Sequence, residues 1–203
     1  MAFRMMSVLA ACMFAVSVQA ADIASPDVLV KTTSQEVIAL LKETHGHAHQ
    51  PRSAILEKIA PDFDFTHMTR LALGQYWRRA TPQQQALLTR QFRDLLVNTY
   101  ANAMSRYRNQ TIQYEPLALN PAASYATVRM IFVERGGQRV PIDYHMQKMP
   151  NGWKVYDVVV DGVSLVINYR NSFADEIQRS GVNGLIRVLA RKNASLSGAR
   201  HSG

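Results

Sequence analysis

The sequence contains almost no cysteine: Cys12 is the single one among 203 residues. A chain of this length buries roughly 70% of its unfolded surface, so it needs no disulfide or metal to hold its fold. If Cys12 is lost with an N-terminal leader, disulfides, thiol catalysis and cysteine–zinc sites are all excluded. Glycine-rich phosphate loops, the G-x-S-x-G nucleophile motif and the H-E-x-x-H zinc motif are also missing. Few familiar enzyme classes remain.

Long hydrophobic runs are missing as well. The longest, Ser7–Val18, has about 12 residues, whereas a helix that spans a bilayer needs about 20. It follows Arg4 and ends at Val18-Gln19-Ala20, where small residues suit cleavage. Residues 1–20 are therefore predicted to be a secretory signal peptide. The alternative is a lipoprotein cleavage box at Leu9-Ala10-Ala11-Cys12.

Acidic residues are scarce: 15 stand against 23 basic ones, for a formal net charge of +8. A basic chain suggests nucleic acid, but export makes that partner a poor candidate, and none is predicted. Arginines concentrate between residues 70 and 108, where Asp94 is the one acid. This cluster is either a solvated face or a surface for lipid phosphates or acidic proteins. The residues predicted to contact a headgroup or a partner are Arg78, Arg79, Arg90 and Arg93.

Helical periodicity predicts helices at both ends of the chain. Pro26 and Pro51 each suit the first position of a helix. Thr81-Pro82-Gln83-Gln84 forms a capping box, which predicts a helix over about residues 82–106. After the central segment the helical pattern returns, and Gly181 is predicted to end that helix before a last short one.

Alternating apolar and polar residues predict strands between about residues 112 and 160. Gly136-Gly137 and Pro150-Asn151-Gly152 suit hairpin turns. The order predicts an α+β fold, in which a curved antiparallel sheet of about four strands packs against several helices. With no linker or repeat, residues 21–193 are predicted to form a single domain. The small, polar residues 194–203 are predicted to be a disordered tail.

The histidines at His45, His47 and His49 are the most metal-like feature. His45 and His49 have the i, i+4 spacing that lets two imidazoles share a metal on a helix. Pro51 breaks a helix here, and no nearby acid completes a ligand set. A solvated loop is favoured, and no metal site is predicted.

Asp62, Asp64 and His67 form a second polar group that could serve acid–base chemistry. Helix capping explains Asp64 more simply. Asp62 is expected to be solvated. No catalytic role is predicted for the group.

Asp143, Asp157 and Asp161 form a third group, on the predicted strands and at the end of one. Paired carboxylates could act as acid and base. The structural interpretation is favoured: Asp161 belongs to a turn, and Asp157 is a buried acid paired with an arginine, for which Arg170 is the candidate. The protein is not predicted to be an enzyme.

An apolar and aromatic stripe follows the predicted sheet and the helices that face it. Such a stripe forms either a solid core or the wall of an incompletely closed apolar pocket. Periodicity alone does not separate the two. The residues predicted to line such a pocket are Tyr76, Phe92, Leu96, Tyr100, Tyr107, Val128, Ile142, Tyr144, Met146, Val155, Val158, Val163, Leu165 and Tyr169.

Several motifs follow one another along the chain. They are Phe63-Asp64-Phe65-x-x-Met68-x-x-x-Ala72-Leu73-Gly74-x-x-Trp77, Ala80-Thr81-Pro82-x-Gln84, Phe92-Arg93-x-Leu95-Leu96, Thr99-Tyr100, Asp143-Tyr144, Trp153-Lys154-Val155-x-Asp157-Val158, Gly162-Val163-Ser164-Leu165 and Asn168-Tyr169-Arg170-x-x-Phe173. In this order they resemble the MlaC family, also called the toluene-tolerance auxiliary family, over about residues 26–193. The His45–His49 stretch lies outside these motifs.

The resemblance implies a periplasmic phospholipid carrier. Such a carrier holds acyl chains in a pocket between sheet and helices and shuttles lipid between outer and inner membrane, which maintains outer-membrane lipid asymmetry. The implied partners are the phospholipid cargo, an MlaA-like outer-membrane lipoprotein with a porin, and an MlaD-like MCE-domain protein of an inner-membrane ABC transporter. No cofactor besides the cargo is implied.

Two other functions remain open from the residues. One is a periplasmic adaptor or chaperone with a solid core that binds acidic protein surfaces. The other is a small lipid hydrolase that uses Asp143, Asp157 and Asp161.

Overall fold

Helices flank a central sheet in the computed structural model, which describes residues 24–43, 51–105, 111–133 and 136–198. The predicted signal peptide with Cys12 and the His45–His49 stretch lie outside these ranges. Within the ranges, no helix is both long and apolar enough to span a bilayer. The helices are α1 (Pro26–Glu43), α2 (Pro51–Ile59), α3 (Phe65–Leu73), α4 (Pro82–Ser105) and α5 (Arg170–Gly198), with short 3-10 segments at Ala60–Asp62, Gly74–Arg79 and Ile167–Tyr169.

Local capping fixes the helix starts where the sequence predicts them. The Thr81 backbone N–H donates to Gln84 Oε1 at 2.9 Å, and the Gln84 N–H donates to Thr81 Oγ1 at 3.2 Å. This is the predicted capping box at the start of α4. At the start of α3, Asp64 Oδ1 accepts from the His67 N–H at 2.8 Å. Asp64 is therefore the cap of α3.

The last helix, α5, bends at Gly181, the residue predicted to end it. Gly181 has φ 70° and ψ 177°, outside the helical region. Only glycine adopts this conformation readily. The sequence pattern predicts a disordered tail from residue 194. Beyond the bend, however, α5 continues to Gly198. Residues 199–203 lie outside the described ranges.

Replacing Gly181 with alanine should lower the free energy of unfolding by about 1–3 kcal/mol. A Cβ atom at Gly181 would meet no atom within 4 Å, so the loss comes from the backbone conformation and not from a clash. Denaturant unfolding of Gly181→Ala measures it. Arg187→Ala, at an exposed position of the same helix, should stay within about 0.5 kcal/mol of wild type. Equal stability of the two variants would contradict a backbone conformation at Gly181 that only glycine adopts readily.

The sheet is a five-stranded antiparallel meander in the order β1-β2-β3-β4-β5. It confirms the predicted α+β class and adds one strand to the expected four. The extra strand, β5, is only two residues long and follows the turn at Asp161 and Gly162. The strands are β1 (Thr111–Tyr114), β2 (Tyr125–Val133), β3 (Arg139–Met149), β4 (Gly152–Val160) and β5 (Val163–Ser164).

A β-bulge interrupts the pairing of β3 with β4. His145 pairs with Asp157 and Met146 pairs with Val155, so Tyr156 has no partner across the ladder. The extra residue shifts the alternation of side chains along β4. As a result Val155 and Val158, three positions apart, lie on the same face of the sheet.

Two principal apolar clusters hold the fold. The first joins α3, α4 and α5, where Phe92 and Leu95 are almost completely buried. The second joins the inner face of the sheet to α1 around Val30, Val128 and Met146. The space between the clusters is not filled by side chains, and it forms the cavity described next.

Candidate functional site

A cavity of about 470 Å³ lies between the inner face of the sheet and helices α1 to α4. This volume is within the range of about 300–1,000 Å³ that is typical of small-molecule sites. Strand alternation places every second residue of β3 in the wall, namely Val140, Ile142 and Tyr144. The bulge in β4 lets Val155 and Val158 both join them. The wall is therefore almost wholly apolar.

Helix α1 forms the opposite wall through a stripe at helical spacing. The stripe consists of Leu29, Val30, Thr33, Ser34, Val37 and Ile38. Helix α2 adds Ile55 and Ile59, and the start of α3 adds Phe65 and Met68. The cavity thus lies between a mostly apolar helix face and a mostly apolar sheet face.

Four of the five polar side chains in the wall are paired with one another. The Thr33 hydroxyl donates to Asp62 Oδ2. The Tyr144 phenol is hydrogen-bonded with Ser34, and burial raises the pKa of Tyr144 to about 12. Burial also raises the pKa of Tyr100. Both phenols stay neutral near pH 7, so they add no charge to the cavity.

Half of the predicted pocket residues line this cavity. They are the members of α4, β3, β4 and the segment after β5 that face inward: Leu96, Tyr100, Ile142, Tyr144, Val155, Val158 and Leu165. Their contact with a lipid stays a prediction.

The other predicted pocket residues lie elsewhere. Phe92 packs edge-on against Phe173 and Tyr169 in the helical cluster, with ring centroids 5.2 Å apart in both pairs. The Tyr76 hydroxyl accepts from Gln178 Nε2 at 3.0 Å. Val163 is 54% exposed. Val128 and Met146 are core residues of the second apolar cluster and do not line the cavity, and Tyr107 lies outside the described residues.

The contribution of α1 and α2 to the cavity was not predicted from the sequence. The stripe on α1 repeats at three- and four-residue spacing and was visible in the sequence, where it indicates only that the helix has a buried face. Thr33 and Ser34 interrupt its apolar character. The polar pairs that these two residues make could not be derived from periodicity.

None of the four arginines predicted to contact a headgroup or a partner lines the cavity. Arg78, Arg79 and Arg90 are exposed. The Arg79 guanidinium lies 5.5 Å from the centroid of the Tyr76 ring. Arg93 forms an ion pair of 2.8 Å with Asp94. Their contacts with a headgroup or a partner remain a prediction.

The predicted pairing of Asp157 with Arg170 is wrong. Asp157, 6% exposed, accepts from Ser164 Oγ at 2.6 Å and from the backbone N–H groups of Val158 at 2.8 Å and Val166 at 3.3 Å. Arg170 instead donates to the Leu71 carbonyl. Asp157 therefore ties β5 and the following turn to β4.

The other acidic residues occupy different structural settings. Asp143 lies 3.6 Å from Arg129 in an ion pair, and Asp161 occupies the turn after β4. Asp62, which was expected to be solvated, is half-buried in the cavity wall. The His67 ring stacks on Tyr156 at 4.9 Å, and burial together with the nearby Arg70 lowers its pKa. Across the described ranges, no three histidine, cysteine or acidic side chains form a metal-binding group.

A second cavity of about 350 Å³ lies between α2, α4 and α5. Its polar groups bond to each other: Asn98 Nδ2 donates to Asn193 Oδ1 at 3.1 Å, and Asn193 Nδ2 donates to the Gln91 carbonyl at 2.9 Å. Buried amides satisfied in this way fix the register of two helices. This cavity is interpreted as part of the helix packing.

Comparison with known proteins decides the family. A family model described as MlaC protein matches residues 31–191. The chain belongs to the MlaC family. The resemblance drawn from the sequence motifs is thereby confirmed.

Three relatives illustrate the similarity. The toluene tolerance protein Ttg2D of Pseudomonas putida is 27% identical over 162 residues, which are 77% of this chain and 75% of that protein. The intermembrane phospholipid transport system binding protein MlaC of Haemophilus influenzae is 23% identical over 172 residues, 81% of this chain and 80% of that one. A solved structure of a phospholipid-binding protein from Ralstonia solanacearum, in complex with a phospholipid, superposes with a TM-score of 0.78 at 38% identity; it covers 86% of this chain and 99% of the other.

Proposed function

We propose that this protein is a phospholipid carrier whose cavity shields acyl chains from water. The observation that carries the proposal is the apolar cavity of about 470 Å³ between sheet and helices, in a fold shared with a phospholipid complex at 38% identity. Relatives named for toluene tolerance and for intermembrane phospholipid transport support the same role.

The physical need for such a carrier follows from the cost of exposing lipid tails. A buried methylene is worth about 0.8 kcal/mol. A two-chain phospholipid with roughly 30 methylenes would face a barrier of about 20 kcal/mol or more if it crossed water bare. An apolar cavity removes this barrier without any reacting group. Because lipid must also leave, affinity for the cargo has to be close to that of the membrane partners.

The proposed setting is the periplasm, reached with a cleaved signal peptide over residues 1–20. There the protein would exchange lipid with an MlaD-like MCE-domain protein of an inner-membrane ABC transporter and with an MlaA-like outer-membrane lipoprotein and its porin. Exchange between these partners would maintain outer-membrane lipid asymmetry. The basic surface around Arg78, Arg79 and Arg90 suits acidic partner faces.

Native mass spectrometry of protein purified from the periplasm of a bacterial host tests the proposal. The expected spectrum contains the protein with mass increments of intact phospholipid. The same protein should carry labelled phospholipid from donor to acceptor vesicles. A chain that is consistently free of lipid and takes up none from vesicles would refute the carrier role.

The solid-cored adaptor is less well supported, because it predicts no internal cavity. The lipid hydrolase is less well supported because Asp143 forms an ion pair with Arg129 and Asp157 accepts hydrogen bonds from Ser164 and two backbone N–H groups. Intact lipid in the mass spectrum would agree with a carrier that performs no hydrolysis.

A further inference from the structure

The cavity wall contains one unusual side chain, Asp62. Among the described residues that line the cavity, it is the only one that carries a formal charge at neutral pH. It lies on the 3-10 segment between α2 and α3 and is half-buried. A carboxylate in an apolar wall is costly unless a partner offsets its lost hydration.

The partners of Asp62 do not neutralise it. Thr33 donates one hydrogen bond to Oδ2, whereas a carboxylate can accept about four. No lysine or arginine within the described part of the chain forms an ion pair with it. Lys154, the nearby cation, is bonded instead to the carbonyl of the adjacent Pro61.

A negative charge in this position discriminates between lipid headgroups by Coulomb energy. It attracts a headgroup with an ammonium group and repels one whose charge is only negative. The effect is stronger at a partly buried group than on the open surface, because water and salt screen it less. The negative charge of Asp62 also opposes the general preference of a basic protein for anionic lipid.

We propose that Asp62 selects phospholipids whose headgroup carries an ammonium group, with the headgroup held beside the Thr33–Asp62 pair. The proposal rests on the carrier function proposed above. It makes Asp62 a residue that determines which lipid is carried, not whether lipid is carried.

The test loads the protein from vesicles that contain equal amounts of dioleoyl phosphatidylethanolamine and dioleoyl phosphatidylglycerol. Mass spectrometry of the extracted lipid gives the ratio of the two and the total lipid per protein. In wild type the ratio should exceed that of the vesicles by about two- to fivefold. In Asp62→Asn it should fall to the vesicle ratio, and the total lipid per protein in the same extract shows whether the variant is loaded. The Asn carbonyl still accepts from Thr33.

Asp64→Asn is the matched control. It removes the same charge two residues away, at a helix cap that does not line the cavity, and Asn caps a helix about as well as Asp. Its lipid ratio should equal that of wild type.

The outcomes separate the two proposals. Equal ratios in loaded wild type and loaded Asp62→Asn would overturn the role of Asp62 and leave the carrier function intact. Wild type that shows no preference would do the same, even if Asp62→Asn failed to fold. Wild type that takes up no lipid at all would overturn the carrier function itself.

Discussion

Replacing Leu96 with tryptophan should exclude lipid from the cavity and leave the protein folded. Leu96 is 6% exposed and lines the cavity from α4. The larger indole has empty space to enter, so it need not displace protein atoms. If it displaces about two methylenes of cargo at ~0.8 kcal/mol each, bound phospholipid falls about tenfold. Lipid per protein, measured by native mass spectrometry after loading from vesicles, gives the result.

Leu95→Trp is the matched control on the preceding residue. Leu95 is 0% exposed, belongs to the helical cluster and does not line the cavity. The same substitution there overpacks a filled core and should cost about 1–3 kcal/mol of stability. The two variants should therefore show different defects: Leu96→Trp loses bound lipid, and Leu95→Trp loses stability. Undiminished lipid loading in a folded Leu96→Trp variant would argue against acyl chains in this cavity.

Replacing Asp157 with alanine should destabilise the protein strongly. The change leaves the N–H groups of Val158 and Val166 and the Ser164 hydroxyl without their acceptor. Each buried unsatisfied group costs about 1–3 kcal/mol, so a total of about 3 kcal/mol is expected. For a chain of this size, Tm should fall by about 6–12 °C. Thermal unfolding followed by circular dichroism measures the shift.

Asp157→Asn separates the hydrogen bonds of Asp157 from its charge. The amide oxygen can still accept from the backbone N–H groups, so this variant should lose clearly less stability than Asp157→Ala. It should also carry intact phospholipid, as the structural role of Asp157 requires. Equal losses in the two variants would mean that the charge, not the hydrogen-bond acceptor, holds β5 in place.

Local signals in the sequence predicted the helices well. The capping box at Thr81 and the cap at Asp64 depend on residues three positions apart, so they are visible without the tertiary fold. The bulge at Tyr156 and the two-residue strand β5 were missed. A bulge is a property of two paired strands, and two residues have no periodicity to detect. Because β5 was missed, Ser164, which lies in β5 and donates to Asp157, was not considered as its partner, and Arg170 was predicted instead.

The predicted residues line the cavity where the face given by residue alternation borders it. Leu96 and Phe92 lie one turn apart on the same face of α4, yet Leu96 lines the cavity and Phe92 packs against α5. Periodicity identifies a buried face but not what covers each turn of it. Asp62 was expected to be solvated because nothing in the local sequence shows that its segment borders the cavity.

The segment that carries Asp62 is joined to the sheet by its backbone. Phe63 forms a parallel bridge with Val155, and the Asp64 N–H donates to the Val155 carbonyl at 2.8 Å. Helix α1, across the cavity, is joined to the other described elements by side-chain contacts such as those of Thr33 and Ser34. Moving the first wall breaks main-chain hydrogen bonds, whereas moving α1 breaks side-chain hydrogen bonds and apolar contacts such as those of the buried Val30. The two walls of the cavity are therefore held differently: main-chain hydrogen bonds hold the wall beside Asp62, and side-chain contacts with the other described elements hold the wall formed by α1.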